Sequence, residues 1–265
     1  DVEDGLVAEH LRGLGVDIDT PALAGHGAAN ITGTGTLTID CPINAGTVVL
    51  SGANSFTGSV TISSGAVRIT NSSALGTTAT TKTITLSGGT AGNCQLRLDG
   101  SGGDIDIPSG IRYTTSNSAG VIFNEAGNNT IRGNITCASG GGDTKITVVA
   151  GTLTLEGAVS PNTTGRVFVL GGAGTGFCNG VISSGIATRS LAVTKADAGT
   201  WTLSGANTYS GTTTINAGTL LLGNANALGN GGSTIGSANG GTTVTAGATL
   251  DLNGQQGINE RITVN

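Results

Sequence analysis

The carboxylates hold the most chemical promise in this sequence. The densest set is Asp99, Asp104 and Asp106, in Asp99-Gly-Ser-Gly-Gly-Asp104-Ile-Asp106. Asp104 and Asp106 share one side of a strand and Asp99 approaches across a glycine turn, which suits a calcium ion or the paired carboxylates of a glycoside hydrolase. The related stretch 251–259, Asp-Leu-Asn-Gly-Gln-Gln-Gly-Ile-Asn, replaces the later acids by neutral residues, and this favours a plain solvated corner. His10 and His26 both fall in the segment 1–27, where His10 beside Glu9 reads as a solvated pair rather than a base with its orienter. No Gly-x-Ser-x-Gly elbow occurs. The chain is therefore expected to be non-enzymatic and to need no cofactor.

Four cysteines, Cys41, Cys94, Cys137 and Cys178, are widely spaced, with no C-x-x-C pair or neighbouring histidine for zinc. Their even number allows two disulfides in any of three pairings, as in an oxidising exterior. The alternative is four buried thiols acting as small apolar side chains.

The elements that must position these groups follow from an unusual composition. Among 265 residues, 48 are Gly and 42 are Thr, while charged residues make up 10% and aromatics 3%. Disorder is excluded, because Val, Ile and Leu alternate with Thr and provide apolar surface to bury. Of 16 acids and 11 Lys or Arg in all, the segment 1–27 carries six acids against Arg12, which leaves the body with ten of each. A neutral body with an acidic arm does not suit nucleic acid, whose binding draws on clustered Lys and Arg. No apolar run of about 18 residues occurs, so no membrane-spanning helix is expected. With no Met and no signal-like segment at its start, the sequence reads as processed or excised.

Self-comparison finds an internal repeat. Leu50-Ser-Gly-Ala-Asn-Ser-Phe-Thr-Gly58 returns as Leu203-Ser-Gly-Ala-Asn-Thr-Tyr-Ser-Gly211, and the match runs on to Gly76 and Gly229 at a constant offset of 153. The related modules span about 46–112 and 199–265. Within them and between them, triplets such as Val60-Thr-Ile62, Leu96-Arg-Leu98, Leu153-Thr-Leu155 and Leu250-Asp-Leu252 alternate apolar and polar residues between Gly, Asn and Ser. Strands this short would leave a sandwich or barrel with long unpaired edges or a very small core. A right-handed parallel β-helix gives every short strand a partner above and below. The reading is all-β: a solenoid over 28–265 of about 12 rungs of roughly 20 residues, about 55–60 Å long. Leu203 should point inward and Thr202 outward, into solvent.

Thr200-Trp-Thr-Leu-Ser-Gly-Ala-Asn-Thr-Tyr-Ser-Gly-Thr-Thr-Thr-Ile-Asn-Ala-Gly-Thr-Leu220 resembles the passenger-associated transport repeat of autotransporter proteins. The likeness covers 199–229 well and 46–76 more loosely, with Val48 in place of Trp201 and Phe56 in place of Tyr209. It implies a parallel β-helix exported to the bacterial exterior or cell surface, in which the repeat assists secretion and folding rather than chemistry. The membrane barrel that usually ends such proteins has no counterpart here.

Three functions compete: a solenoid that stacks head to tail into a surface fibre, an adhesin that binds glycans or host surfaces, and a polysaccharide-degrading enzyme, the least favoured. Assembly would use Ile262 and Val264 in the last strand pattern, a template for further pairing. It would also use the arm, where Leu6, Val7, Leu11, Leu14, Val16 and Ile18 interleave with acids. The arm would cap its own first rung, pair with a neighbour's open rung, or remain a tail.

Overall fold

The computed structural model describes residues 17–19, 30–40, 47–78, 81–86, 94–115, 121–138, 143–230 and 240–265. Among them the chain forms strands and turns and no helix, so no helix is long and apolar enough to cross a membrane. The three larger sheets, parallel throughout, form the faces of a stack of coils. Face 1 has six strands, from Leu37–Asp40 to Val159–Pro161. Face 2 has ten, from Thr47–Leu50 to Ile262–Val264, and face 3 has seven, from Asp106–Ile107 to Thr249–Asp251. The architecture is the expected parallel β-solenoid.

Its dimensions differ from the expectation. On face 2, Val48, Val67, Leu96, Ile122, Ile146, Leu170, Lys195, Ile215, Val244 and Val264 stack in one register column. From Val48 to Val264 is nine steps, so a coil takes roughly 24 residues instead of roughly 20. Nine steps of about 4.8 Å make about 43 Å, shorter than expected. The difference lies in the corners. The coil from Val67 to Leu96 is half as long again as the one from Val48 to Val67, because strand spacing is fixed while corner length is free.

Alternation along each strand fills the interior with such columns. Ile107, Ile131, Leu155, Cys178, Leu203 and Leu222 stack on face 3, and all six are buried. One large residue needs a small one beneath it. A Cβ on Gly176 would collide with the ring of Trp201, its register partner in the next coil. Threonines line the outside in matching ladders: Thr38, Thr61, Thr85, Thr114 and Thr136 on face 1, and Thr152, Thr175, Thr200, Thr219 and Thr249 on face 3. β-Branched residues fit this role, since their stiff side chains pack on like neighbours.

Thr202 points outward as expected, yet it is only 9% exposed, because Phe177 and Leu221 flank it in its ladder and cover it. The test of inward and outward registers therefore belongs at Thr200. Leu203→Asp should cost several kcal/mol, since it buries an unpaired charge between Cys178 and Leu222. Thr200→Asp, between Thr175 and Thr219 on the outer ladder, should stay within about 1 kcal/mol of the parent in urea titration.

Candidate functional site

Corners pose the problem that strands solve elsewhere. Where the chain turns from one face to the next, backbone N–H and C=O groups inside the wall have no ladder partner, and each needs another one. The repeated Ser-Gly-Ala-Asn segment meets that need. Asn54 is 2% exposed; its Oδ1 accepts from the Ile31 N–H at 2.8 Å in the coil below, and its Nδ2 donates to the Ala74 carbonyl at 2.6 Å in the coil above. Asn207 makes the same pair of bonds, from Ile182 N–H at 2.8 Å and to Ala227 C=O at 2.7 Å. One side chain thus ties three successive coils.

The rest of the module supports this clamp in both copies. Asn71 and Asn224 each accept the N–H two residues on and so start the following turn, at 2.9 Å and 2.8 Å. That turn buries Ala74 and Leu75 in one copy and Ala227 and Leu228 in the other, beside buried Phe56 and Tyr209. It closes on Gly76 and Gly229, with φ of +80° and +76°; a Cβ at either would strike the carbonyl of Phe56 or Tyr209. The Tyr209 hydroxyl is 2.6 Å from Thr213 Oγ1.

The two copies do not sit on the same faces. Thr47–Leu50 and Ala66–Ile69 belong to face 2 and Val60–Ser64 to face 1, while their counterparts Thr200–Leu203 and Thr219–Leu222 belong to face 3 and Thr213–Ile215 to face 2. The constant offset between the copies amounts to about six coils and one further face. The motif therefore specifies a corner and is indifferent to which corner.

Other corners reach the same result with different side chains. Asn129 Oδ1 accepts from Ile105 N–H at 2.7 Å, its Nδ2 donates to Asn124 Oδ1 at 2.7 Å, and Asn124 Nδ2 donates to Ala150 C=O at 2.8 Å: a two-residue relay across three coils. Two lysines point inward. Lys195 occupies the apolar column of face 2 and donates to the carbonyls of Ala196, Asp197 and Ala217 at 2.6, 2.7 and 3.0 Å. Lys82 donates to those of Leu75 and Phe56 at 2.7 and 3.0 Å and lies 3.9 Å above the Phe56 ring. An ammonium with three donors suits corners where several carbonyls converge. Burial lowers the pKa of both amines, that of Lys82 to about 8, and for Lys195 the charge of Asp197 opposes the effect.

The carboxylates singled out from the sequence are engaged separately. Asp99 Oδ1 accepts from Ser101 N–H at 3.1 Å, and hydrogen bonds from Ser101 hold this carboxyl below its usual pKa. Asp104 Oδ1 accepts from Asn128 N–H at 2.8 Å, and Asp106 takes a forked pair from Arg132 at 2.7 and 2.9 Å. No three acidic, histidine or cysteine side chains among the described residues form a metal-holding group. These acids serve as partners for corners and for the neighbouring coil.

The expectation of two disulfides does not hold. Cys137 and Cys178 are free and buried, Cys137 between Thr115 and Pro161 on face 1 and Cys178 between Leu155 and Leu203 on face 3. Burial raises their thiols to about 11 and about 12, which makes them unreactive core residues. Cys94 is buried also. Cys41, His10, His26 and the arm residues Leu6, Val7, Leu11, Leu14 and Val16 lie outside the described residues. Ile18 pairs with Ile31 in an antiparallel contact between Asp17–Asp19 and Asn30–Thr32. At the other end, Ile262 and Val264 are 39% and 74% exposed on a strand that pairs with Thr242–Val244.

Sequence reasoning misses the clamps, because Asn reads there only as one of the residues that separate the strands. The signal is present in the recurrence of Asn54 and Asn207 at the constant offset. Residues 43–69 and 193–222 match the model of the passenger-associated transport repeat, and each segment contains one of the two clamps. Neither a curated protein nor a solved structure matches the chain.

Removing one amide leaves two buried backbone groups without partners. Asn207→Ala should cost about 2–5 kcal/mol in urea denaturation, and Asn54→Ala a similar amount, while Asn207→Asp keeps only the acceptor and should be nearly as damaging.

Lys82 makes stability depend on pH. Its folded pKa lies below the ordinary 10.5, so between about pH 8 and pH 10.5 the unfolded chain holds more protons, and stability should rise with pH across that window. Below pH 8 the cost of the buried cation applies in full. Comparing urea midpoints at pH 7 and pH 10.5, Lys82→Met should flatten the rise by roughly 1–3 kcal/mol relative to the parent.

Proposed function

We propose that this chain is a non-catalytic segment of a rigid passenger rod, exported to the exterior of a bacterium, whose repeats serve folding and stiffness. The observation that carries the reading is the fate of the motif's polar residue. In both segments that match the transport repeat, the asparagine following Ser-Gly-Ala is spent inside the wall as a clamp and is not offered to a ligand. The acids that would have supported catalysis are likewise committed to corners and to the neighbouring coil.

A glycan-binding adhesin draws less support, since aromatic platforms are the usual means of gripping sugar rings, and of the seven aromatics Phe56, Tyr113, Phe168, Trp201 and Tyr209 are buried while Phe123 and Phe177 are half-buried, Phe123 beneath Arg97. Pairing of Asp17–Asp19 with Asn30–Thr32 of the same chain supports the arm as a cap on its own first coils over a segment donated to a neighbour. A head-to-tail fibre is not required by this reading.

Fusion of the chain to a bacterial outer-membrane translocator tests it. Asn54→Ala combined with Asn207→Ala should reduce folded, protease-resistant protein at the cell surface severalfold at equal synthesis, whereas Asp106→Asn should not. Equal surface levels for the parent and both variants would contradict a role of the clamped repeat in export.

A further inference from the structure

Asparagine amides carry the ties between coils, and an asparagine followed by glycine carries a reaction of its own. The backbone nitrogen of the next residue can attack the side-chain Cγ when nothing shields it, and glycine shields it least. Four asparagines precede glycine: Asn179, Asn230, Asn239 and Asn253. The structure describes both members of the pairs Asn179-Gly180 and Asn253-Gly254. We propose that Asn253 is a self-modifying site, converted without an enzyme into isoaspartate and aspartate, while the fold spares Asn179. This chemistry goes beyond the proposed scaffold role and stands independently of it.

Three observations carry the proposal. The first is the attacking nitrogen. After Asn54, Asn179 and Asn207 it is engaged: Ser55 N–H donates to Ile31 C=O at 2.9 Å, Gly180 N–H to Leu155 C=O at 3.2 Å and Thr208 N–H to Ile182 C=O at 2.9 Å. The Gly254 N–H meets no acceptor among the described residues. The second is room. Asn179 and Asn253 are both exposed, so exposure does not separate them. Gly180 lies against the coil below, where an added Cβ would strike the Gly157 carbonyl, whereas a Cβ on Gly254 would meet nothing within 4 Å. Asn253 and Gly254 hold φ of +48° and +71° in an open turn, so the peptide between them rotates without breaking a ladder bond. The third is the amide itself. Asn253 Nδ2 keeps one long bond, 3.2 Å to Leu222 C=O, while both amide ends of Asn54 and Asn207 are held at 2.8 Å or less.

The reaction balances with water as its only co-reactant. Gly254 N bonds to Asn253 Cγ, the Cγ–Nδ2 bond breaks, and ammonia leaves with the proton of the Gly254 N–H. Water then opens the cyclic imide at either carbonyl, restoring an N–H and giving isoaspartate or aspartate. Both products lack the donor to Leu222 and add a carboxylate beside Asp251, and isoaspartate also inserts a methylene into the backbone, so the tie to the coil below is lost.

The test ages the full chain in warm neutral buffer, folded and in concentrated urea, and maps its peptides by mass spectrometry with fragmentation that separates isoaspartate from aspartate. In the folded chain Asn253 should convert at least about tenfold faster than Asn179, and Asn54 and Asn207 should stay intact. In urea, where the fold shields neither, the rates at Asn179 and Asn253 should agree within about threefold. Gly254→Ala should slow conversion of Asn253 at least about tenfold; if that variant misfolds, the folded and urea rates of the parent decide alone. Asn179 converting as fast as Asn253 in the folded chain, Asn253 staying intact there while it converts in urea, or an unchanged rate in folded Gly254→Ala would overturn the proposal.

Discussion

Hydrogen bonding at the corners is the constraint on which the rest of this structure depends. Along the faces, parallel strands satisfy their own backbone, and any alternating apolar and polar sequence will do. At the corners the ladder stops, and buried N–H and C=O groups must find partners or cost roughly 1–3 kcal/mol each. Asn54 and Asn207 answer with an amide that accepts from the coil below and donates to the coil above. Asn124 with Asn129 does so as a relay, and Lys82 and Lys195 do so where carbonyls alone converge. Since these bonds cross between coils, the polar interior also pins the register in which neighbouring coils meet, which apolar columns of near-identical Val, Ile and Leu specify poorly.

This division of labour explains an economical composition. Faces need only β-branched residues and a few large ones matched to a glycine, as Trp201 is to Gly176. Corners need Asn, Gly and small residues, because coils approach closely there; a Cβ at Gly151 or Gly199 would strike the backbone of the coil below. Apart from Lys82 and Lys195, charged groups are then left for cross-coil ties on the outer wall, such as Glu125, which meets both Arg68 and Arg97 at 2.7 and 2.6 Å. The two module copies differ by a rotation of one face and still form the same clamp, since the corner motif does not depend on the face it joins.

The faces are legible in the sequence and the corners only in outline. Triplets such as Val60-Thr-Ile62 and Leu153-Thr-Leu155 identify inward and outward positions, because alternation of period two reports directly on a half-buried strand. Coil length comes out too short from the sequence, since the repeat spacing says nothing about how much chain each corner takes. Asn54 is visible as part of a repeat, but its burial is not, because the same residue type also forms exposed turns, as Asn71 does. Thr202 fails as a solvated position for a related reason: outward direction does not mean exposure when Phe177 and Leu221 stand on either side in neighbouring coils.

The central claim is that one buried asparagine holds three coils together. Native-state hydrogen exchange on Asn207→Ala measures this most directly, amide by amide. The account predicts that the Ile182 N–H, which loses its acceptor, exchanges about 30-fold faster, the equivalent of about 2 kcal/mol, and that protection also falls in the coil above around Ala227. Faster exchange confined to residue 207 and its sequence neighbours, with Ile182 and the Ala227 turn unchanged, would contradict it.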